Sequence, residues 1–67
     1  MSDQPLKNRE IIFEFFPIGP YMKVTAMDVA TLTEVSISGP KGTAEAILQQ
    51  NAVKRLEFVM RKKGLIA

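Results

Sequence analysis

Residues 43–64, TAEAILQQNAVKRLEFVMRKKG, decide how this chain is read. They predict one helix of about twenty residues, more than five turns. Thr43 is the expected N-cap, because its hydroxyl can accept from a backbone N–H two or three residues on. Pro40, Lys41 and Gly42 keep the preceding chain out of a helix. Glu45 complements the positive end of the helix dipole, and Arg61, Lys62 and Lys63 complement the negative end. Gly64 supplies the left-handed residue that stops the helix.

At 100° per residue, Leu48, Val59, Ala52, Leu56, Met60, Val53 and Ala46 gather in one arc of roughly 160°. This is the expected buried face. Gln50, Arg61, Lys54, Asn51, Lys62 and Arg55 lie opposite, and Ile47 and Phe58 interrupt them, nearly in line. Either a tail (Leu65-Ile66 or Pro5-Leu6) folds over these two, or they form a contact surface for another copy or another protein.

Working outward from the helix, Arg9–Phe16 alternates, with Ile11, Phe13 and Phe15 on one side and Glu10, Ile12, Glu14 and Phe16 on the other. Tyr21–Asp28 alternates again, with Met22, Val24 and Ala26 inward, and Thr33–Ser38 follows with Thr33, Val35 and Ile37 inward. A four-residue loop, Pro17–Pro20, is expected between the first two strands. It sets Ile11, Phe13 and Phe15 beside Ala26, Val24 and Met22, pairs Phe16 with Tyr21, and puts Glu14 opposite Lys23. A second four-residue loop, Val29–Leu32, pairs Asp28 with Thr33, since a two-residue loop would force positive φ on β-branched Val29. Gly39-Pro40 closes the third strand. The fold expected is α+β, a three-stranded antiparallel β-meander with one C-terminal α-helix across one face, in the order β-β-β-α. Residues 1–8 read as a flexible lead-in, 9–64 as one domain and 65–67 as a tail.

A chain of 67 residues is close to the lower limit for folding alone. Small scaffolds usually add a disulfide, a metal or a partner subunit. With no Cys and no His, self-association is the expected supplement. No stretch reads as a signal peptide or membrane span, so the expected setting is the cytoplasm. The net charge of +2 is unevenly placed: residues 1–40 carry three bases and five acids, residues 41–67 six bases and two acids.

Catalytic constellations fail for want of parts. Without His or Cys there is no Ser-His-Asp triad, no thiol nucleophile and no ordinary zinc site, so neither catalysis nor a cofactor nor a metal is expected. Glu10 and Glu14 share a strand face but stand about 13 Å apart, too far for paired-carboxylate chemistry. Gly39-Pro-Lys-Gly42-Thr43 has a Lys before a helix, yet it lacks the spacing of a phosphate-binding loop and has Pro where a donor is wanted.

Two non-catalytic readings remain. Ile12, Phe16, Tyr21 and Met27 point away from the helix and, with Ile47 and Phe58, form the candidate partner interface, most simply for a homodimer. The alternative is sequence-indifferent nucleic-acid binding, with Lys54, Arg55, Arg61 and Lys62 on phosphates. Recognition by the sheet face is not expected, because Glu10, Glu14 and Glu34 there outnumber Lys23.

The runs Glu14-Phe15, Val24-x-Ala26-x-Asp28, Thr33-Glu-Val-Ser-Ile-x-Gly-Pro40 and Lys54-x-Leu-Glu-x-Val59 resemble a family of very short, uncharacterised proteins of alphaproteobacteria. The likeness spans roughly residues 10–64. It implies a bacterial protein of unknown function and assigns no site residues. It also implies Gly in the second turn, where this chain has Leu32.

Overall fold

The computed structural model describes residues 6–67. Strands β1 (Ile11–Ile18), β2 (Tyr21–Asp28) and β3 (Thr33–Pro40) form one antiparallel sheet in the order β1-β2-β3, and helix α1 (Glu45–Lys62) packs on it. This is the expected β-β-β-α meander. The inner face is the expected one as well, with Val24, Ala26 and Val35 buried against Leu48, Ala52, Leu56 and Met60.

The first hairpin differs from expectation. Its loop is two residues, Gly19 and Pro20, with Ile18 opposite Tyr21. Gly19 takes φ +54° and the Pro ring fixes a negative φ after it, the pattern of a tight turn whose twist suits a hairpin. The register therefore moves by two residues, which keeps every side chain on its expected face but changes its neighbours. Ile11, Phe13 and Phe15 face Asp28, Ala26 and Val24, and Glu14 faces Thr25 instead of Lys23.

Pro17 explains the difference. The Val29 amide donates to the Glu10 carbonyl at 3.1 Å, so by alternation the even-numbered residues of β1 bond to β2 while Ile11, Phe13, Phe15 and Pro17 turn their backbone groups to the open edge. A proline there removes no ladder bond, and the strand runs through it. Pro40 holds the equivalent place on β3, because the Lys41 amide bonds to Pro20 and leaves the Tyr21–Pro40 pair without ladder bonds. So β3 extends beyond Ser38.

The second loop is the expected one, with Asp28 opposite Thr33. Leu32 stands at φ +59° there, at the point where the family likeness implies Gly.

The helix begins one residue later than expected. Ala44, not Thr43, is the N-cap, and no side chain caps it. The Thr43 amide is tied to the Pro40 carbonyl at 2.9 Å, which holds Thr43 in the preceding turn. The other end is built as expected: Gly64 at φ +73° lets its own amide reach Arg61 and the Leu65 amide reach Met60, closing the last carbonyls.

The helix lies over β2 and β3, with little of it above β1. This narrows its buried face. Ala46, at the rim of the expected arc, is exposed, and Val53 and Val59 are half-buried. For the same reason Ile11, Phe13 and Phe15 are only half-covered. The helix sits close on β3 at Gly39, where a Cβ would fall 2.8 Å from Leu48 Cδ2. Residues 1–5 of the expected lead-in lie outside the described residues, while Leu6 joins the core at 8% exposure.

Candidate interaction surfaces

The register fixes what the outer sheet face displays. Its rows are Ile12–Met27–Glu34, Glu14–Thr25–Ser36, Phe16–Lys23–Ser38 and Ile18–Tyr21–Pro40. Ile12, Phe16 and Tyr21 are each more than two-fifths exposed, and Met27 is half-buried. The structure does not bring these four into one patch. Phe16 and Tyr21, expected as a direct pair, are diagonal neighbours, and Ile18 joins them at the turn end. The Glu14–Thr25–Ser36 row separates them from Ile12 and Met27. Ile18 was hidden from sequence reasoning by the assumption that Pro17 ends the strand.

Ile47 and Phe58 part company too. Ile47 borders a groove of about 930 Å³ between β1 and the helix, whose apolar lining includes Leu6, Ile11, Phe13, Ala46 and Val53. Lys7, Arg9, Lys54 and Glu57 add both signs of charge to the same groove. Leu6 lines it without hiding Ile47, which stays 48% exposed. Phe58 is not part of that lining. Arg55 and Lys62 lie over its ring instead, at 5.5 and 5.6 Å from the centroid, and the residue stays 50% exposed. Arg61 Nε donates to the Ala67 carbonyl at 3.1 Å. Of the four candidate phosphate contacts, Arg55 and Lys62 sit together around Phe58, Lys54 lies toward the groove, and Arg61 is engaged with the tail.

One cluster escaped the sequence reading. Asp28 is fully buried, and its Oδ2 accepts from Arg9 Nη1 at 3.1 Å, the Thr31 amide at 3.0 Å and the Thr31 hydroxyl at 2.7 Å. The Thr31 and Thr33 hydroxyls are bonded to each other at 2.8 Å. Burial pushes the Asp28 carboxyl up, but the Thr31 hydroxyl and amide and the Arg9 guanidinium together hold it below its ordinary range. Oδ1 has no partner among the described residues. The signal was present: Asp28 has the same parity as Met22, Val24 and Ala26, which places it on the core face. The cluster ties the β1 entry to the second turn and is a structural staple. Among the described residues, no group of three His, Cys, Asp or Glu is placed to hold a metal ion, and no helix is long and apolar enough to cross a membrane.

Fold and surfaces define a small α+β domain, one three-stranded meander backed by one helix, with apolar side chains left on both faces of its first strand. Residues 8–63 match the family model described as Domain of unknown function (DUF6898), and the chain belongs to that family. Neither the curated proteins nor the solved structures gave a match to this chain.

Proposed function

We propose that this is a bacterial, cytoplasmic, non-catalytic interaction module that works by self-association. One observation supports it above others. The helix covers β2 and β3 but leaves Ile11, Phe13 and Phe15 half-covered, while Ile12, Phe16 and Ile18 of the same strand stand exposed on the other face. A strand apolar on both faces gains from a partner what its own helix does not supply. Sedimentation equilibrium over a wide concentration range tests this: a concentration-dependent dimer is expected, and a monomer throughout overturns it.

The half-exposed Phe58 ring between Arg55 and Lys62 favours a second reading, sequence-indifferent contact with single-stranded nucleic acid, since an aromatic face beside cations suits a base and its phosphate. Titration with single-stranded RNA at low and high salt decides it. Binding that weakens with salt and falls in Phe58→Ala supports it, and no binding at low salt ends it.

A further inference from the structure

We propose that two copies pair antiparallel along the open edge of β1, about a two-fold axis at Phe13, to build one six-stranded sheet. This rests on the self-association reading and names its surface.

Among the described residues, no strand lies beyond β1. Its open edge presents the N–H and C=O groups of Ile11, Phe13 and Phe15, with no Lys in the strand to discourage pairing. Centring on Phe13 sets Phe13 against Phe13 of the second copy and Ile11 against Phe15, giving about six ladder bonds. The ladder then ends where Arg9 would meet Pro17. There Pro17 has no donor, and the Arg9 amide is already bonded to the Leu6 carbonyl at 3.1 Å, so no N–H is left wanting.

Charge selects this register over its neighbours. Sliding by two residues toward the turn sets Glu14 opposite its own copy, and sliding the other way sets Glu14 opposite Glu10 of the second copy. In the Phe13-centred register Glu14 meets Ile12 and Glu10 meets Phe16. Side chains of paired residues lie on the same side of a sheet, so both helices flank the joint. The Phe13 and Phe15 rings of the two copies then fill the space over it, and the β1–helix groove of each copy becomes half of one closed trough.

The chain has no cysteine, so Ile12→Cys and Glu14→Cys, both on exposed outer-face sites, report pairing without disturbing the core. Those positions would form a directly opposed, non-hydrogen-bonded pair with Cα atoms ~4.5 Å apart, within disulfide reach. Under mild oxidation, an equimolar mixture of the two variants should give the mixed disulfide at least tenfold faster than Glu14→Cys alone dimerises. A dimer by sedimentation that lacks the mixed disulfide, or one in which Glu14→Cys cross-links to itself as fast, overturns the edge or its register and leaves self-association standing. A monomer at the highest soluble concentration overturns both. N-methylation of the Phe13 amide in the synthetic chain removes an edge donor and no β1–β2 bond. It should weaken the dimer at least tenfold, and an unchanged dimer overturns the proposal.

Discussion

Arg9 reaches back across the sheet to Asp28, with 3.1 Å between Nη1 and Oδ2, and it is the only salt bridge among the described residues. The carboxylate is fully buried while the arginine is 27% exposed, so the two ends of the pair stand on unequal terms. Removing Arg9 strands a charge in the core and leaves the Thr31 bonds to hold it alone. Arg9→Met should therefore destabilise the fold by about 1–2 kcal/mol, the lower range for a half-screened pair. Urea denaturation at neutral pH measures it.

The same carboxylate makes stability depend on acid. Its folded pKa lies below the ordinary 3.8, so its contribution is fully present above that value and is lost as pH falls through the folded pKa. Asp28→Asn should flatten this part of the profile. The variant's urea midpoint should lie below that of the native chain at pH 7 and converge toward it below pH ~3.8. Parallel profiles down to the acid limit would contradict the assignment.

Leu32 holds a left-handed backbone at φ +59° while its side chain is 71% exposed, so it bears a steric cost with no burial in return. Leu32→Gly should stabilise the protein by about 1 kcal/mol, and Leu32→Asn by somewhat less. A β-branched residue, as in Leu32→Val, should do the reverse. Thermal melts of the three variants rank them.

Gly39 is constrained from the opposite direction, by space. Its missing Cβ is what lets Leu48 Cδ2 approach, so Gly39→Ala should cost about 1 kcal/mol through overpacking. The Leu48→Ala background removes the clashing carbon. There the Gly39→Ala cost should shrink, and a double-mutant cycle measures the coupling.

Leu6 precedes every element among the described residues yet is buried against the core. Leu6→Ala should lower stability by about 2 kcal/mol, as expected for a buried leucine. A cost near zero in a chemical melt would show that this residue is dispensable to the core.

Much of the architecture was legible in the sequence because it rests on period. Alternation in Ile11–Phe15, Met22–Ala26 and Thr33–Ile37 and the helical spacing of Leu48, Ala52, Leu56 and Met60 each depend on a few residues in a row. Parity also survived the error at Pro17, since a slip of two residues keeps every face. The candidate interface was less legible. Whether Phe16 meets Tyr21 or Lys23 depends on the loop length, and the loop length depended on which way Pro17 turned its nitrogen.

The sequence by itself determined the elements, their order and which side chains face the core, because those follow from local geometry repeated along the chain. Tertiary structure alone decided where the helix lies across the sheet, and with it that β1 is left half-covered, that Ile47 and Phe58 belong to different surfaces, and that Asp28 is closed in by Arg9 and Thr31. Those outcomes turn on packing between residues distant in the chain, where a close approach at Gly39 and one proline on an open edge carry no periodic mark.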